Sequence, residues 1–312
     1  VGGAGEIGFG QEITNLLGEA FTTLVVFGQE RIGYVTGTSS ADFDLPIITS
    51  EAGAKPYTAQ MCGSPTYLDD RGIRDMSTTE NFGNWRTGTL STLVEPWFKS
   101  ARLRGATPVA SMRVRARDQY RIFYSDGTGL TVYFGRRNVE LLPFTLPHPP
   151  VCAASGTIGD EERLFFGTAD GMVYEMDRPP SFDGQEVLAF VRSPFLSFNE
   201  PTREQRLHSV TVDCDAPSGA DLYVSAEMSY GNPDLPASSE EIMSQPPAGG
   251  GFWDTALWDQ ALWSASVHGR AIAHINGLGQ NISVVISSES ATDAPHTLTA
   301  ATINVTSRRL RR

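Results

Sequence analysis

Pairs of neighbouring acidic residues are the first feature of this sequence that could do chemistry. Glycosidases cleave a sugar bond held between two carboxylates, one acting as an acid and the other as a base or nucleophile. Candidate pairs are Asp69 with Asp70, Glu161 with Glu162, Asp213 with Asp215, and Glu240 with Glu241. All of them fall in predicted turns or at strand ends, where acidic side chains commonly serve turn geometry and solvation. We therefore expect structural roles for them, and a polysaccharide-degrading enzyme is the least favoured function.

Other catalytic and metal-binding signatures are not found in the sequence. It has no nucleophile elbow, phosphate-binding loop, paired-histidine zinc motif or dinucleotide fingerprint. The cysteines Cys62, Cys152 and Cys214 are far apart and odd in number, which indicates buried free thiols rather than disulfides or a zinc site. The five histidines show no metal-ligand spacing. We predict a protein that is not an enzyme and that binds no cofactor and no metal.

Three tryptophans lie close together near the C-terminal end of the chain. Trp253, Trp258 and Trp263 recur every five residues in GFWDTALWDQALWSA (251–265). Helical positions five apart differ by about 140°, so the rings would not share one helix face, and odd spacing on a strand alternates sides. The segment is therefore predicted to be a looped excursion. Its rings would pack it onto its own domain, contact a neighbouring subunit, or form a stacking platform for a sugar; packing or an interface is favoured.

The net charge and hydropathy of the chain restrict its class of partner. The chain has 312 residues and a formal net charge of −12 at pH 7. Nonspecific binding of nucleic acid is therefore not expected, because phosphate contacts need lysine and arginine. No apolar run reaches the roughly 18 residues of a membrane helix, so no membrane segment is predicted. No signal peptide is visible and the sequence begins with Val1 rather than methionine, so we expect a processed chain or a piece of a longer one.

The first part of the chain repeats one pattern: an apolar strand, a polar turn and a second apolar strand. Turn glycines such as Gly127 and Gly171 follow aspartate between apolar alternations, which is a strong hairpin signal. Intervals of about 40–50 residues between paired strands predict propeller blades or a similar radial array. We predict an incomplete propeller-like β domain over 1–180. One short helical insertion is predicted near 89–103, with Pro96 introducing a kink or a break into two short pieces.

The second part of the chain has longer single strands that alternate apolar and polar residues. Six or more such strands predict a β-sandwich domain over 181–312. An exposed loop is predicted over 231–251, because it is rich in proline, serine and glycine, and the tryptophan-rich segment 252–264 follows it. The predicted fold class is therefore all-β: a propeller-like array of hairpins, then a β-sandwich, with one short helical insertion.

Several segments, taken in order, resemble the virion structural proteins of tailed bacteriophages. Together they cover nearly the whole chain, and they are FGQERIGYVTGTSSADF (27–43), YLDDRGIRDMS (67–77), TPVASMRVRARDQYRIFYSDG (107–127), LFFGTADGMVYEMDRPPSFDG (164–184) and the tryptophan segment. Within that group the combination is similar to the nozzle, or tail tubular protein B, of short-tailed phages. Such proteins combine a propeller-like array with a β-sandwich.

This resemblance implies a homo-oligomer in the phage tail of the virion. Copies would form a ring, commonly a hexamer, next to an adaptor or a portal-proximal ring, and genome DNA would pass through the lumen without specific binding. An acidic lumen wall would fit that role, because like charges repel. The expected function is a structural tail component that assembles into a ring around the DNA-ejection channel. The main alternative is a receptor- or glycan-binding tail module.

Overall fold

The computed structural model is mostly β-structure, arranged as several small antiparallel sheets. The chain divides into two compact units, Val1–Asp177 and Arg178–Arg312. In the part of the chain that is described, no helix is long and apolar enough to span a membrane. The described residues are 8–18, 24–38, 42–76, 89–135, 139–178, 181–198, 200–215, 220–231, 241–245, 268–290 and 296–308.

The first sheet is a meander whose neighbouring strands follow one another in the sequence. It contains β1 (Ile13–Gly18), β2 (Leu24–Gly28), β3 (Ile32–Val35) and β4 (Ile47–Thr49). A tight turn joins β2 to β3, where the Gly28 N–H donates to the Arg31 carbonyl at 2.8 Å. Phe27 and Ile32 face each other across this turn and are fully buried, so the hairpin supplies the core of the sheet.

The second sheet depends on a glycine at its main turn. It contains β5 (Gln60–Met61), β6 (Pro65–Asp69) and β7 (Gly72–Asp75). Gly72 has φ +133°, which side chains rarely adopt, and a Cβ there would lie 2.2 Å from the Ser91 Oγ. That hydroxyl oxygen accepts the Ile73 N–H at 2.9 Å. The absence of a side chain at Gly72 therefore lets the hairpin bind the segment that leads into the helix.

The helical insertion predicted near 89–103 is confirmed. A 3-10 turn at Thr92–Val94 precedes helix α1 (Glu95–Leu103). Pro96 lies in the first turn of the helix, where backbone N–H groups have no intrahelical partner, so the helix is not kinked there. Of the two outcomes predicted for Pro96, the kink was wrong, because proline starts the α-helix instead of interrupting it, while the insertion does consist of two short pieces, the 3-10 turn and the α-helix. Phe98 is buried and anchors the helix against the third sheet.

The third and fourth sheets are also meanders. The third contains β8 (Pro108–Val114), β9 (Gln119–Tyr124), β10 (Thr128–Phe134) and β11 (Val139–Thr145), and the fourth contains β12 (Pro150–Ile158), β13 (Glu161–Thr168) and β14 (Val173–Glu175). Gly127 and Gly171 adopt φ of +83° and +85° in the turns that the sequence predicts. Tyr120, Ile122 and Leu130 are fully buried in the third sheet, which holds much of the core of the first unit.

The predicted hairpins are confirmed, but no propeller is detected in the described part of the chain. Each hairpin belongs to a separate sheet of three or four strands. Turn residues and alternation determine which consecutive strands pair. Closure into a ring of blades depends on contacts between sheets, which no local sequence signal encodes.

The described residues of the second unit form two sheets. One has the strand order β15 (Val187–Arg192), β21 (Ile282–Ser290), β17 (Ala220–Met228) and β18 (Glu241–Gln245). In the other, β16 (Gln205–Asp215) pairs with β22 (Thr297–Ser307) on one side, and with β19 (His268–Ala273) and β20 (Gly277–Gly279) on the other.

Both sheets of the second unit contribute to one hydrophobic core. Val210, Val212 and Cys214 alternate along β16 and are fully buried, as is Leu207, which lies before an irregularity in the strand register. They pack in the same cluster as Leu222 and Val224 of β17. Burying a large aliphatic side chain contributes about 1.5–3 kcal/mol, so this shared core is the main stabilising feature of the unit.

The exposed loop predicted over 231–251 is wrong in part. Residues 241–245 form β18, which pairs with β17 over five residues. Met243 is buried in the shared core and Ile242 is exposed, as expected for alternating residues of a strand. The prolines and serines on either side of these residues indicate a loop, so the strand was not predicted. The remaining residues of that loop, apart from Gly231, and the tryptophan-rich segment 252–264 lie outside the described residues.

Candidate functional site

The predicted packing or interface residues Trp253, Trp258 and Trp263 lie outside the described residues. Their assignment to packing, a subunit contact or a sugar platform stays a prediction. The candidate sites that can be built from described residues are the acidic turn of the second sheet, a charged contact between the third and fourth sheets, and an exposed apolar strand in the second unit.

The acidic turn holds the neighbouring carboxylates Asp69 and Asp70, each paired with a cation. Asp69 Oδ2 lies 3.2 Å from the Nε of Arg74, a fully buried guanidinium. Burial raises the pKa of Asp69 above its usual value. Asp70 Oδ1 lies 2.9 Å from the Nζ of Lys55, and this hydrogen bond lowers the pKa of Asp70. Opposite shifts in neighbouring carboxylates can mark an acid and a base, and here each carboxylate also has a cation beside it.

A cleft of about 620 Å³ adjoins this turn. It is lined by Asp70, Arg71, Thr89, Thr92, Glu95, Phe98, Lys99 and Arg102. Two acidic and three basic side chains contribute to this lining, and Glu95 Oε1 lies 3.0 Å from Lys99 Nζ, one helical turn away. Because the charges largely compensate one another, the cleft does not select a ligand of one sign.

The contact between the third and fourth sheets centres on the carboxylate of Asp177. The Arg121 guanidinium donates to it twice, from Nη1 to Oδ1 at 2.9 Å and from Nη2 to Oδ2 at 2.7 Å. Arg117 Nη1 adds a third hydrogen bond, to Oδ2, at 2.7 Å. The Arg121 side chain is only 7% exposed, so this bidentate pair is largely shielded from water. We call these three residues the Asp177 cluster.

Backbone contacts reinforce the same junction. Glu162 at the start of β13 accepts the Arg115 N–H at 2.9 Å and the Ala116 N–H at 2.7 Å, so one carboxylate binds two successive amides of a turn. The Ser155 hydroxyl of β12 donates to the Arg113 carbonyl of β8 at 2.6 Å. Only the turn position of Glu162 could be predicted from the sequence, because nothing in the local pattern indicates its distant partners.

The second and third sheets are joined in the same way. The Tyr120 hydroxyl donates to the Thr58 carbonyl, and burial raises the pKa of this phenol well above its usual value. Gln60 Nε2 donates to the carbonyl and the hydroxyl oxygen of Ser111, both at 3.1 Å. The sheets of the first unit are therefore tied to one another by hydrogen bonds in addition to apolar contacts.

Strand β15 exposes apolar side chains on both of its faces. Leu188, Phe190 and Val191 are 63%, 70% and 55% exposed, and none of the strand's side chains is buried. β15 lies at one end of its sheet and pairs with β21 through its whole length. The alternation of apolar and polar residues predicts a half-buried strand here, so the exposure of β15 was not predicted from the sequence. This exposure depends on the position of the strand in its sheet.

The three cysteine thiols differ in their exposure to solvent. Cys214 is buried and Cys62 is partly buried, and burial raises the pKa of the Cys62 thiol to about 11. Cys152 is exposed, so the prediction of buried thiols is wrong for this residue. Among the described residues, no group of three or more His, Cys, Asp or Glu side chains could hold a metal ion.

The described geometry therefore offers ion pairs that join sheets and one apolar strand at a sheet edge. Both are features by which β-proteins hold together or associate. Comparison with protein-family models and with curated proteins found no match to this chain.

Proposed function

We propose that this chain is a structural component of a bacteriophage tail, similar to the nozzle of short-tailed phages, which assembles into a ring around the DNA-ejection channel. The observation that carries the proposal is the order of five sequence segments that resemble this group. Four of them contain the turn between two paired strands of a different small sheet, namely β2–β3, β6–β7, β8–β9 and β13–β14. Under this proposal the four meanders are blade-like units of a propeller-like array, and the two sheets of the second unit are its β-sandwich.

The internal contacts of the first unit support a mechanical role. A tail component must keep its shape while pressurised DNA passes, which favours sheets joined by many hydrogen bonds. The Asp177 cluster, the Glu162 contact and the Tyr120–Thr58 bond supply such joints. The net charge of −12 supports a channel that does not hold DNA, because clamps on phosphate need basic side chains.

The enzyme and glycan-binding alternatives have less support. Both carboxylates proposed for polysaccharide cleavage, Asp69 and Asp70, are paired with cations. The glycan platform depends on the tryptophan segment, which lies outside the described residues. A glycan array with the purified chain separates this alternative from the structural role, since a structural tail component should bind no sugar on it.

Mass measurement and imaging test the ring directly. Native mass spectrometry and negative-stain microscopy of the purified chain should show a closed oligomer, with six copies expected, around a central channel. Mass spectrometry of purified virions should find the chain in tails. A chain that remains monomeric at every concentration and is absent from tails would refute the proposal, and a channel lined mainly by lysine and arginine would refute the acidic lumen.

A further inference from the structure

The feature that the proposed ring does not explain is β15. Its alternation places Leu188 and Phe190 on one face and Val187, Ala189 and Val191 on the other, so both faces are apolar. A strand that is apolar on both faces is normally covered on both. Here none of its side chains is buried, and none contributes to the shared core of the unit.

The free edge of β15 also lacks the usual protection. Edge strands commonly carry lysine, proline or an inward-pointing charge that prevents pairing with another chain. Within 187–191 there is none of these, and the charges stand only at the two ends, as Glu186 and Arg192. β21 pairs with one side of β15, and among the described residues no strand pairs with the other.

The sequence around β15 is complementary to itself. When two copies run antiparallel with Ala189 at the centre, Leu188 of each lies opposite Phe190 of the other, and Val187 lies opposite Val191. The same register places the acidic Glu186 opposite the basic Arg192 at both ends.

The groups at the two ends are available for such a contact. Glu186 is exposed, and Arg192, which also pairs with Glu227 in its own chain, remains 48% exposed. A guanidinium has five N–H hydrogen-bond donors and can therefore donate hydrogen bonds to two carboxylates at once.

We propose that β15 pairs with β15 of a second copy of this chain about a two-fold axis. The contact would join the two four-stranded sheets into one continuous sheet and cover the exposed edge. It goes beyond the proposed ring, because identical strands meet in an isologous contact that pairs two chains, whereas a cyclic ring closes through heterologous contacts. The two proposals can therefore fail independently.

Cysteine crosslinking tests the register of this pairing. In a background that carries Cys152→Ser, the variant Ala189→Cys should form a covalent dimer under mild oxidation, because residue 189 alone faces its own copy. Val187→Cys should not crosslink with itself, but it should crosslink when mixed with Val191→Cys. Ile242→Cys is the matched control, because it is also exposed on an edge strand of this sheet and should stay uncrosslinked.

A charge exchange tests whether Glu186 and Arg192 meet across the axis. By sedimentation velocity, Glu186→Arg alone and Arg192→Glu alone should each weaken association of the full chain at least tenfold. The chain with both changes should recover most of the affinity, because the opposite charges are again aligned. Circular dichroism verifies folding of each variant.

Several outcomes would each overturn the proposal. They are absence of the residue-189 crosslink in a chain that associates, equal crosslinking at residue 242, and weakening by the two charge changes that adds up instead of cancelling. A chain that is monomeric at high concentration would overturn it as well.

Discussion

Removal of the Asp177 charge should loosen the junction between the third and fourth sheets. The variant of choice is Asp177→Asn, because Asp177 has φ +58° and asparagine is one of the few other residues that tolerate this backbone. The change keeps the size of the side chain. It removes the negative charge and turns one acceptor oxygen into an NH₂ group, which faces donors of Arg121 and Arg117.

The expected cost follows from the burial of the cluster. Breaking a buried ion pair by removing one partner costs about 3–5 kcal/mol, because the other charge stays buried. Arg121 is 7% exposed but Asp177 is 24% exposed, so water can replace part of what is lost. Arg121 also keeps its hydrogen bonds to Gln119 Oε1, the shorter at 2.8 Å. We therefore expect a smaller loss, of about 2–3 kcal/mol, in local stability.

Hydrogen exchange measured by mass spectrometry is the suitable assay, because a chain with two compact units need not unfold in one step. A loss of 2–3 kcal/mol corresponds to roughly 30- to 150-fold faster exchange where opening is local. The acceleration should appear in peptides of β9 and β14 and should be absent from β16 and β17. Glu161→Gln is the matched control, because Glu161 is exposed and lies 3.8 Å from Arg163; its expected effect is below about 0.5 kcal/mol.

The reasoning would be refuted by unchanged exchange in β9 and β14 of Asp177→Asn. It would also be refuted if Glu161→Gln accelerated exchange as strongly, since exposed and shielded ion pairs would then contribute alike. Acceleration spread evenly over both units would show that the cluster stabilises the whole chain instead of one junction.

Three further predictions concern the turn, the second core and acid pH. Gly72→Ala should destabilise the first unit by about 2 kcal/mol or more in urea unfolding, because its Cβ would meet Ser91 Oγ at 2.2 Å and its φ is +133°. Leu207→Ala should cost about 2–5 kcal/mol in the second unit and leave exchange in the first unit unchanged. Asp70→Asn should lower the free energy of unfolding by less than about 1 kcal/mol, because it removes the ion pair with Lys55. Since the pKa of Asp70 is lowered in the folded chain, this loss relative to the parent should be present above pH 3.8 and should vanish as the pH falls through the lowered pKa.

The sequence was sufficient for features that depend on nearby residues. Asp126 and Gly127 predict a hairpin turn because glycine supplies a positive φ, and the structure places a turn there. The helix was found from its apolar spacing. Strand β18 was missed because its five residues lie in a stretch whose composition indicates a loop, and its pairing with β17 comes from a distant part of the chain.

The candidate sites were harder to predict than the fold, for the same reason. Asp177 and Arg121 are separated by 56 positions, and each alone looks like a solvated charge. The acidic pair at residues 69 and 70 was visible in the sequence. The sequence did not show that Arg74, which forms an ion pair with Asp69, is buried. Burial of a charged side chain is decided by the sheets around it, so the pattern of charges predicts turns better than it predicts partners.

The two kinds of association proposed for this chain make different physical demands on it. A ring that guides DNA needs rigid subunits and an inner wall without phosphate clamps, and the net charge of −12 and the hydrogen bonds between sheets are compatible with that proposal. A pairing of edge strands needs an apolar strand with free backbone groups and aligned charges, which β15 provides. Since the features that support the ring and those that support the pairing lie in different parts of the chain, variants of β15 should change the pairing and leave ring closure intact.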